Sequence, residues 1–176
     1  MPWSDHHRRA ARYNRWINES LYQVCLALPA PQLNDDCGLF FQSINGSWNH
    51  LLITDLMWLS RMQHVYPILE ELKDIDFPRR LNGQISDQLQ LLWPLRQRVD
   101  DVLIRWCDLL RQDDATAVIE YTSSSGQPRV KPLDQILQHL FNHQTHHRGQ
   151  ITAALSAIGT DYGETDLLFM PQPDDC

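Results

Sequence analysis

The feature that most constrains this chain is the segment His139-Leu140-Phe141-Asn142-His143-Gln144-Thr145-His146-His147-Arg148-Gly149-Gln150, which holds four of its eight histidines. Apolar residues around these histidines recur with the period of an amphipathic helix: Ile136, Leu140, Ile151, Ala154, Leu155 and Ile158. His143 and His147 are one helical turn apart, so a helix places both on one face. Imidazoles at this spacing can bind the same ion.

The helical phase separates these four histidines into two pairs. At about 100° per residue, His147 lies near the middle of the apolar stripe and His143 within about 40° of it. His139 and His146 lie about 80–100° away, at the edge. A single core histidine is usually a hydrogen-bonded structural residue. Two at ligand spacing each bring a polar nitrogen into the interior, which favours a metal site that still lacks a third ligand.

The composition excludes several classes of protein. The 176 residues carry a formal net charge of −7, which is not the charge of a nucleic-acid-binding domain. No apolar run approaches the eighteen residues that a membrane span needs. The N-terminus has no apolar signal core, so we expect a cytoplasmic protein. The basic residues His6 to Arg9, Arg12 and Arg15 are interpreted as the solvated face of a helix, with phosphate contact as the alternative.

The four cysteines are far apart in sequence and form no Cys-x-x-Cys pair. In a reducing compartment they are free thiols rather than a disulfide framework. Cys25 and Cys107 lie in helical patterns and are predicted to be small core residues. Cys176 is terminal, and none of the four has a partner that would mark it as a nucleophile.

The hydrophobic period predicts a single all-α domain over residues 1–176. Amphipathic helices are predicted over residues 4–28, 43–64, 85–112 and 132–158. Pro94 is expected to kink the third helix, and Gly159 to end the fourth. Residues 67–83 read as a polar connector, and residues 117–131 as a small β-hairpin. Four such helices specify a four-helix bundle with a hairpin before the last helix.

Bundles build metal sites from facing helices, and His50 is the best third ligand because it lies inside the second helix. Asp55 lies close to the apolar stripe of that helix, either as a second-shell partner of a histidine or in an ordinary salt bridge. Arg96 falls on the apolar line of the third helix, where it either pairs with a carboxylate or holds an anionic ligand.

Several motifs together resemble the DinB (damage-inducible, DinB/YfiT-like) metalloprotein family. They are Tyr13-Asn14-Arg15-Trp16, Phe40-Phe41-Gln42-Ser43-Ile44 leading into Asn49-His50, Asp55 with Trp58 and Arg61, and residues 139–150. The resemblance covers nearly the whole chain. It implies a four-helix bundle, often a homodimer, that holds zinc or nickel on three histidines. By motif position the metal ligands are His50, His143 and His147, and His146 becomes a second-shell or cavity residue.

Three imidazoles leave a fourth position open, as in catalytic metal sites. The resemblance implies a metal-dependent thiol S-transferase that uses a low-molecular-weight thiol, with a metal-bound thiolate as the nucleophile. A hydrolase that uses metal-bound water is less favoured, because only Asp55 or His146 stands out as a general base. The competing hypotheses are a non-catalytic, metal-binding stress-response dimer, and a bundle with satisfied core histidines and no metal. The metal, the substrate and the role of His139 stay open.

Overall fold

A computed structural model describes residues 1–171 of the chain. Four long helices make up most of this part. The helices and strands are α1 (Trp3–Leu26), α2 (Ala30–Asn34), α3 (Ile44–Met62), α4 (Leu89–Leu109), β1 (Val118–Thr122), β2 (Pro128–Pro132) and α5 (Leu133–Ala157). Short 3-10 helices cover Pro67–Leu72, Gln112–Thr116 and Leu167–Phe169. The predicted all-α class, with a hairpin before the last long helix, is confirmed.

The hairpin is a two-stranded antiparallel sheet in which Val118 pairs with Pro132 and Thr122 with Pro128. Pro132, the last residue of β2, is followed directly by α5. That helix ends in a Schellman motif, where Gly159 has a φ of 73° and donates to the Ser156 carbonyl, while Thr160 donates to that of Leu155. The hairpin and the stop at Gly159 were both predicted from the sequence.

The long helices pack so that α4 contacts both α1 and α3, and α5 contacts the same two helices. Each helix turns an apolar stripe inward, and the largest buried aromatic side chains are Tyr22, Trp48 and Trp106. Cys25 and Cys107 are buried in this core as predicted, whereas Cys37 is exposed. Cys176 lies outside the described residues. None of the helices in residues 1–171 has the length and apolar character needed to cross a membrane.

The start of the third predicted helix was placed too early. α4 begins at Leu89 rather than Ile85, because the Asn49 side chain accepts hydrogen bonds from the backbone N–H groups of Ile85 and Ser86. These donors are satisfied outside a helix. The helix then continues through Pro94, and the expected kink stays a prediction.

Three further expectations need correction. The segment between the first two predicted helices, residues 29–42, was expected to be a polar loop, but the short helix α2 occupies part of it, since prolines are tolerated in a first helical turn. The connector over 67–83 is not purely polar: Leu69, Leu72, Ile75 and Phe77 are buried in the core.

In the basic N-terminal cluster, Arg8, Arg12 and Arg15 form exposed ion pairs as expected for a solvated face. His7, however, is only 1% exposed and packs against Trp3 and Phe141.

Candidate metal centre

Three histidines from two helices meet at one point in the bundle. His50 lies in α3, and His143 and His147 lie one turn apart in α5. Their nearest nitrogen atoms all lie within 4.8 Å of one another. The Nε2 atoms of His50 and His143 are 3.1 Å apart. The centroids of the three rings are 4.5–5.0 Å apart in every pair. The structure thus brings together the three residues selected from the sequence.

Hydrogen bonds outside the cluster fix which nitrogen of two of the rings faces inward. The Nδ1–H of His50 donates to the backbone carbonyl of Leu81 at 2.9 Å. The Nδ1–H of His147 donates to Oε1 of Gln150 at 2.7 Å. Because each Nδ1 carries the proton, each Nε2 presents a lone pair to the cluster. Outer hydrogen bonds of this kind orient the histidine ligands of protein metal sites.

Burial keeps the three imidazoles neutral. Desolvation, together with smaller contributions from neighbouring histidines, lowers the pKa of His50 to about 4 and that of His143 to about 3. Burial also lowers the pKa of His147, although its bond to Gln150 opposes the shift. Neutral imidazole is the form that binds a metal ion, so the cluster needs little proton release before binding.

The spacing fits a small divalent cation. Nitrogen ligands lie about 2.0–2.1 Å from zinc in a tetrahedral site, which places two of them about 3.3 Å apart. The 3.1 Å separation between the Nε2 atoms of His50 and His143 is close to that value. Two inward lone pairs at this distance repel one another unless a cation or a proton lies between them. The donor set and this distance therefore suit a divalent transition-metal ion.

The loop before α3 covers one side of the cluster. Phe41 stacks on the His50 ring with centroids 3.7 Å apart and packs edge-on against His147. Gly46, in the first turn of α3, permits this approach: a Cβ there would lie 2.1 Å from the Phe41 carbonyl oxygen. Ser43 caps the same turn by accepting from the Gly46 N–H at 3.0 Å. Phe41 thus shields the cluster from one direction.

Two of the three histidines, His50 and His143, also line a cavity of about 250 Å³. Its lining residues are His50, Thr54, Met57, Trp58, Arg61, Leu81, Ser124, His139 and His143. His139 contributes one edge, with its ring centroid 5.4 Å from Trp58 and 5.7 Å from His143. A small molecule in this cavity would therefore contact His50 and His143.

Asp55 belongs to a buried ion-pair cluster and does not contact the histidines. Its Oδ2 accepts from Arg96 at 2.7 Å and also from Gln144. Arg96 in turn forms two hydrogen bonds with Asp100, one turn further along α4. The second-shell role considered for Asp55 therefore does not fit its contacts, whereas the salt-bridge alternatives for Asp55 and Arg96 do.

The same polar cluster extends to α1 through Arg148, which sequence reasoning missed. Arg148 donates to Asn14, to Asn18 at 3.1 Å and to Gln144 at 3.2 Å. Asn14 and Asn18 also donate to Asp100, so side chains of all four long helices are connected. Burial lowers the pKa of Arg148 to about 10 and raises that of Asp100. Two arginines and two aspartates leave the cluster without net charge.

His146 lies beside the cluster without joining it. Its side chain is exposed, and its ring packs against His147 with centroids 4.8 Å apart. Leu81, Gln150 and Phe41 are the positioning residues that the sequence analysis did not select. Gln150 had a readable signal, because it follows His147 by three residues on a helix. Leu81 acts through its backbone carbonyl, so its side chain carried none.

A helical bundle with a buried three-histidine cluster is a fold suited to holding a divalent metal. The DinB family model matches residues 3–175, so the chain belongs to the DinB family. It is similar to the protein named Protein DinB of Bacillus subtilis (strain 168), with 25% identity over 170 residues, 91% of this chain and 93% of that relative. No solved structure matches the chain. The family resemblance found in the sequence is confirmed.

Proposed function

We propose that this protein binds one zinc or nickel ion through Nε2 of His50, His143 and His147. The observation that carries the proposal is the convergence of these three nitrogens, two of them with a fixed inward lone pair. Three protein ligands leave one coordination position free, the arrangement of catalytic rather than structural zinc. His50 and His143 line the cavity that Thr54 and Met57 also line, so a reactant there would contact two of the three proposed ligands.

The chain's own residues would hold and shield the reacting centre. Leu81 and Gln150 orient two imidazoles, and the stacked Phe41 ring excludes water from one side. A divalent ion held there supplies Lewis acidity, which lowers the pKa of a thiol or water that it binds. The cavity then positions a second reactant against that group.

The reaction that we favour is a thiol S-transfer with a low-molecular-weight thiol. Hydrolysis needs a general base near the reacting water, and Asp55, one of the two residues considered for that role, is occupied by Arg96 and Gln144. A thiolate is already a strong nucleophile and needs no such base once formed. A metal-binding protein without catalytic activity is the alternative. Homodimerisation and a cytoplasmic location stay predictions from the sequence.

Elemental analysis of untagged protein tests the metal site directly. We expect about one equivalent of zinc or nickel in the wild-type protein and its loss in His50→Ala, His143→Ala and His147→Ala variants. His64→Ala is the matched control, because His64 is exposed and lies just beyond the end of α3. Retention of metal in the three site variants, or its absence from reconstituted wild type, would overturn the ligand assignment.

Activity is tested separately with a generic electrophile. A thiol such as cysteine would attack 1-chloro-2,4-dinitrobenzene, forming a carbon–sulfur bond while chloride leaves and the thiol proton passes to solvent. We expect a rate that requires both the metal and the thiol and that His143→Ala abolishes. A metal-loaded protein that gives no rate above background with any thiol or hydrolysable ester would support the non-catalytic alternative.

A further inference from the structure

Arg61 is a cation on the wall of the cavity that His50 and His143 also line. Its guanidinium lies over the Trp58 ring at 4.6 Å and over the Tyr121 ring of β1 at 5.0 Å. These two rings come from different elements, α3 and the hairpin, and contact each other edge to face with centroids 5.1 Å apart, so the guanidinium packs against both of them. Such stacking fixes the position of an arginine while leaving its N–H donors available to a ligand.

No carboxylate in residues 1–171 lies within ion-pair distance of Arg61, although the side chain is half-buried. Many other arginines have an acidic partner within 4 Å: Arg8, Arg12, Arg15, Arg96, Arg98 and Arg105. A partly desolvated guanidinium without a counter-charge is costly, and a bound anion would offset that cost. His139 lines the same cavity and adds no negative charge.

The helix places Arg61 in line with the first metal-ligand candidate. Arg61 follows His50 by eleven positions, an offset that is about 20° from three full turns and about 16 Å along the axis. Helical side chains lean toward the N-terminus, and the position of the Arg61 guanidinium over Trp58, three residues earlier, agrees with that direction. Thr54 and Met57 line the cavity between the two ends. A ligand bound at both ends must therefore be several bonds long.

We propose that Arg61 binds the carboxylate of an elongated small-molecule reactant whose other end lies at the three-histidine cluster. The inference rests on the proposed function for the identity of that reactive end, which we take to be a thiol. Arg61 is a specificity residue in this proposal: it selects acids over uncharged molecules of the same length. Trp58 and Tyr121 hold its guanidinium in place for that contact.

The probes are 6-mercaptohexanoate and 6-mercaptohexanol, which differ in the charge at one end. Cobalt-loaded protein is titrated with each, and the thiolate-to-cobalt absorption band reports thiol ligation. We expect the acid to bind roughly 10–100-fold more tightly than the alcohol, the range of a charge-assisted hydrogen bond. In Arg61→Gln this ratio should fall to about one, while cobalt content and affinity for the alcohol stay unchanged.

Two further variants separate charge from structure. Arg61→Lys keeps the charge without the planar donor fork, so the acid should retain an intermediate preference. Arg129→Gln is the control for the loss of an exposed arginine: the Arg129 side chain donates to the Pro128 carbonyl, and the residue pairs with Tyr121 through the β1–β2 strand register. If Arg61 merely braces Trp58 and Tyr121, its loss will weaken both probes equally. An acid preference that survives in Arg61→Gln would overturn the proposal.

Failure of the proposed thiol chemistry gives a different result. In that case no absorption band forms with either probe, whichever variant is used. Binding of hexanoate and of hexanol to metal-free protein, measured by calorimetry, then tests Arg61 alone. A preference for hexanoate that Arg61→Gln removes would support the anion site without the thiol reaction, whereas equal binding of the two would overturn the anion site as well.

Discussion

Nε2 of His50 lies 3.1 Å from Nε2 of His143, although the two residues are 93 positions apart in the chain. The Nδ1 of His50 already donates to Leu81, so at this contact His50 can only accept. In the metal-free protein, His143 must then donate its Nε2 proton to His50. A metal ion bound to this Nε2 would require the proton to move to Nδ1 of His143, so metal binding would change the tautomer of that ring.

The first prediction concerns the pH dependence of the metal-free protein. An unfolded histidine takes up its proton near pH 6.5, whereas burial lowers the pKa of His50 to about 4 and that of His143 to about 3. The unfolded state therefore binds more protons between about pH 7 and pH 4. We expect the free energy of unfolding to decrease as the pH is lowered through this window, by as much as about 1.4 kcal/mol per pH unit for each histidine.

Urea unfolding at pH 7 and pH 5 measures this effect. His50→Gln and His143→Gln should each flatten the dependence, because each removes one group with a lowered pKa. His64→Gln, a change to an exposed histidine outside the cluster, is the control for the substitution itself. Identical pH dependence in all four proteins would show that the cluster does not control acid stability.

The second prediction concerns the hydrogen bond that orients His147. Gln150→Ala removes the acceptor of the His147 Nδ1–H, so the ring loses its fixed tautomer and orientation. We expect a 10–100-fold loss of zinc affinity with the ligand itself intact. Competition with a colorimetric chelator gives the affinity. Gln135→Ala, an exposed glutamine earlier in α5, should bind zinc as the wild type does.

The sequence predicted which three histidines lie together because helical phase is a local property. His143 and His147 share a face at any helical register, and His50 could be selected as a histidine well inside the facing helix pattern. Outer partners are harder to predict. The Leu81 carbonyl reaches His50 from a connector whose conformation no period specifies. The stacking of Phe41 on His50 likewise depends on how the preceding loop folds.

The buried face of α5 is centred nearer to Gln144 than to His147, which the sequence analysis placed near the middle of the apolar stripe. Gln144 lies about 60° from His147, in the direction of Ile151 and Leu155, so the apolar period alone puts it inside. It is fully buried and hydrogen-bonds Asp55. Its polarity makes it look exposed when taken alone. Only its partners, which come from other helices, make its burial favourable.

The third prediction tests the buried ion-pair cluster. Arg96→Met leaves the carboxylates of Asp55 and Asp100 buried without their guanidinium, which should lower the free energy of unfolding by about 3–5 kcal/mol. Chemical denaturation followed by circular dichroism measures the loss. Arg12→Met breaks an exposed pair with Asp108 and should cost no more than about 1 kcal/mol. Similar losses in the two variants would contradict the role assigned to burial.

The fourth prediction concerns the close approach of the Phe41 loop to α3. In Gly46→Ala, the new Cβ would collide with the backbone carbonyl of Phe41, which cannot rotate away as a side chain could. The loop must shift, so we expect a loss of about 1–3 kcal/mol in stability and a weaker stack of Phe41 on His50. Zinc affinity should fall with it, because the His50 ring loses one wall.

Gly149→Ala is the matched control for this change. Gly149 lies inside α5, and a Cβ there would meet no atom of residues 1–171 within 4 Å outside the backbone of its own helical turns. The same substitution should therefore stabilise the protein by about 0.5–1 kcal/mol, since alanine loses less backbone entropy than glycine in a helix. Opposite signs for the two glycines, measured by urea unfolding, would establish that close approach of the loop requires Gly46. A stabilised Gly46→Ala variant would show that the loop can move without cost, and that Phe41 is not held over His50 by this contact.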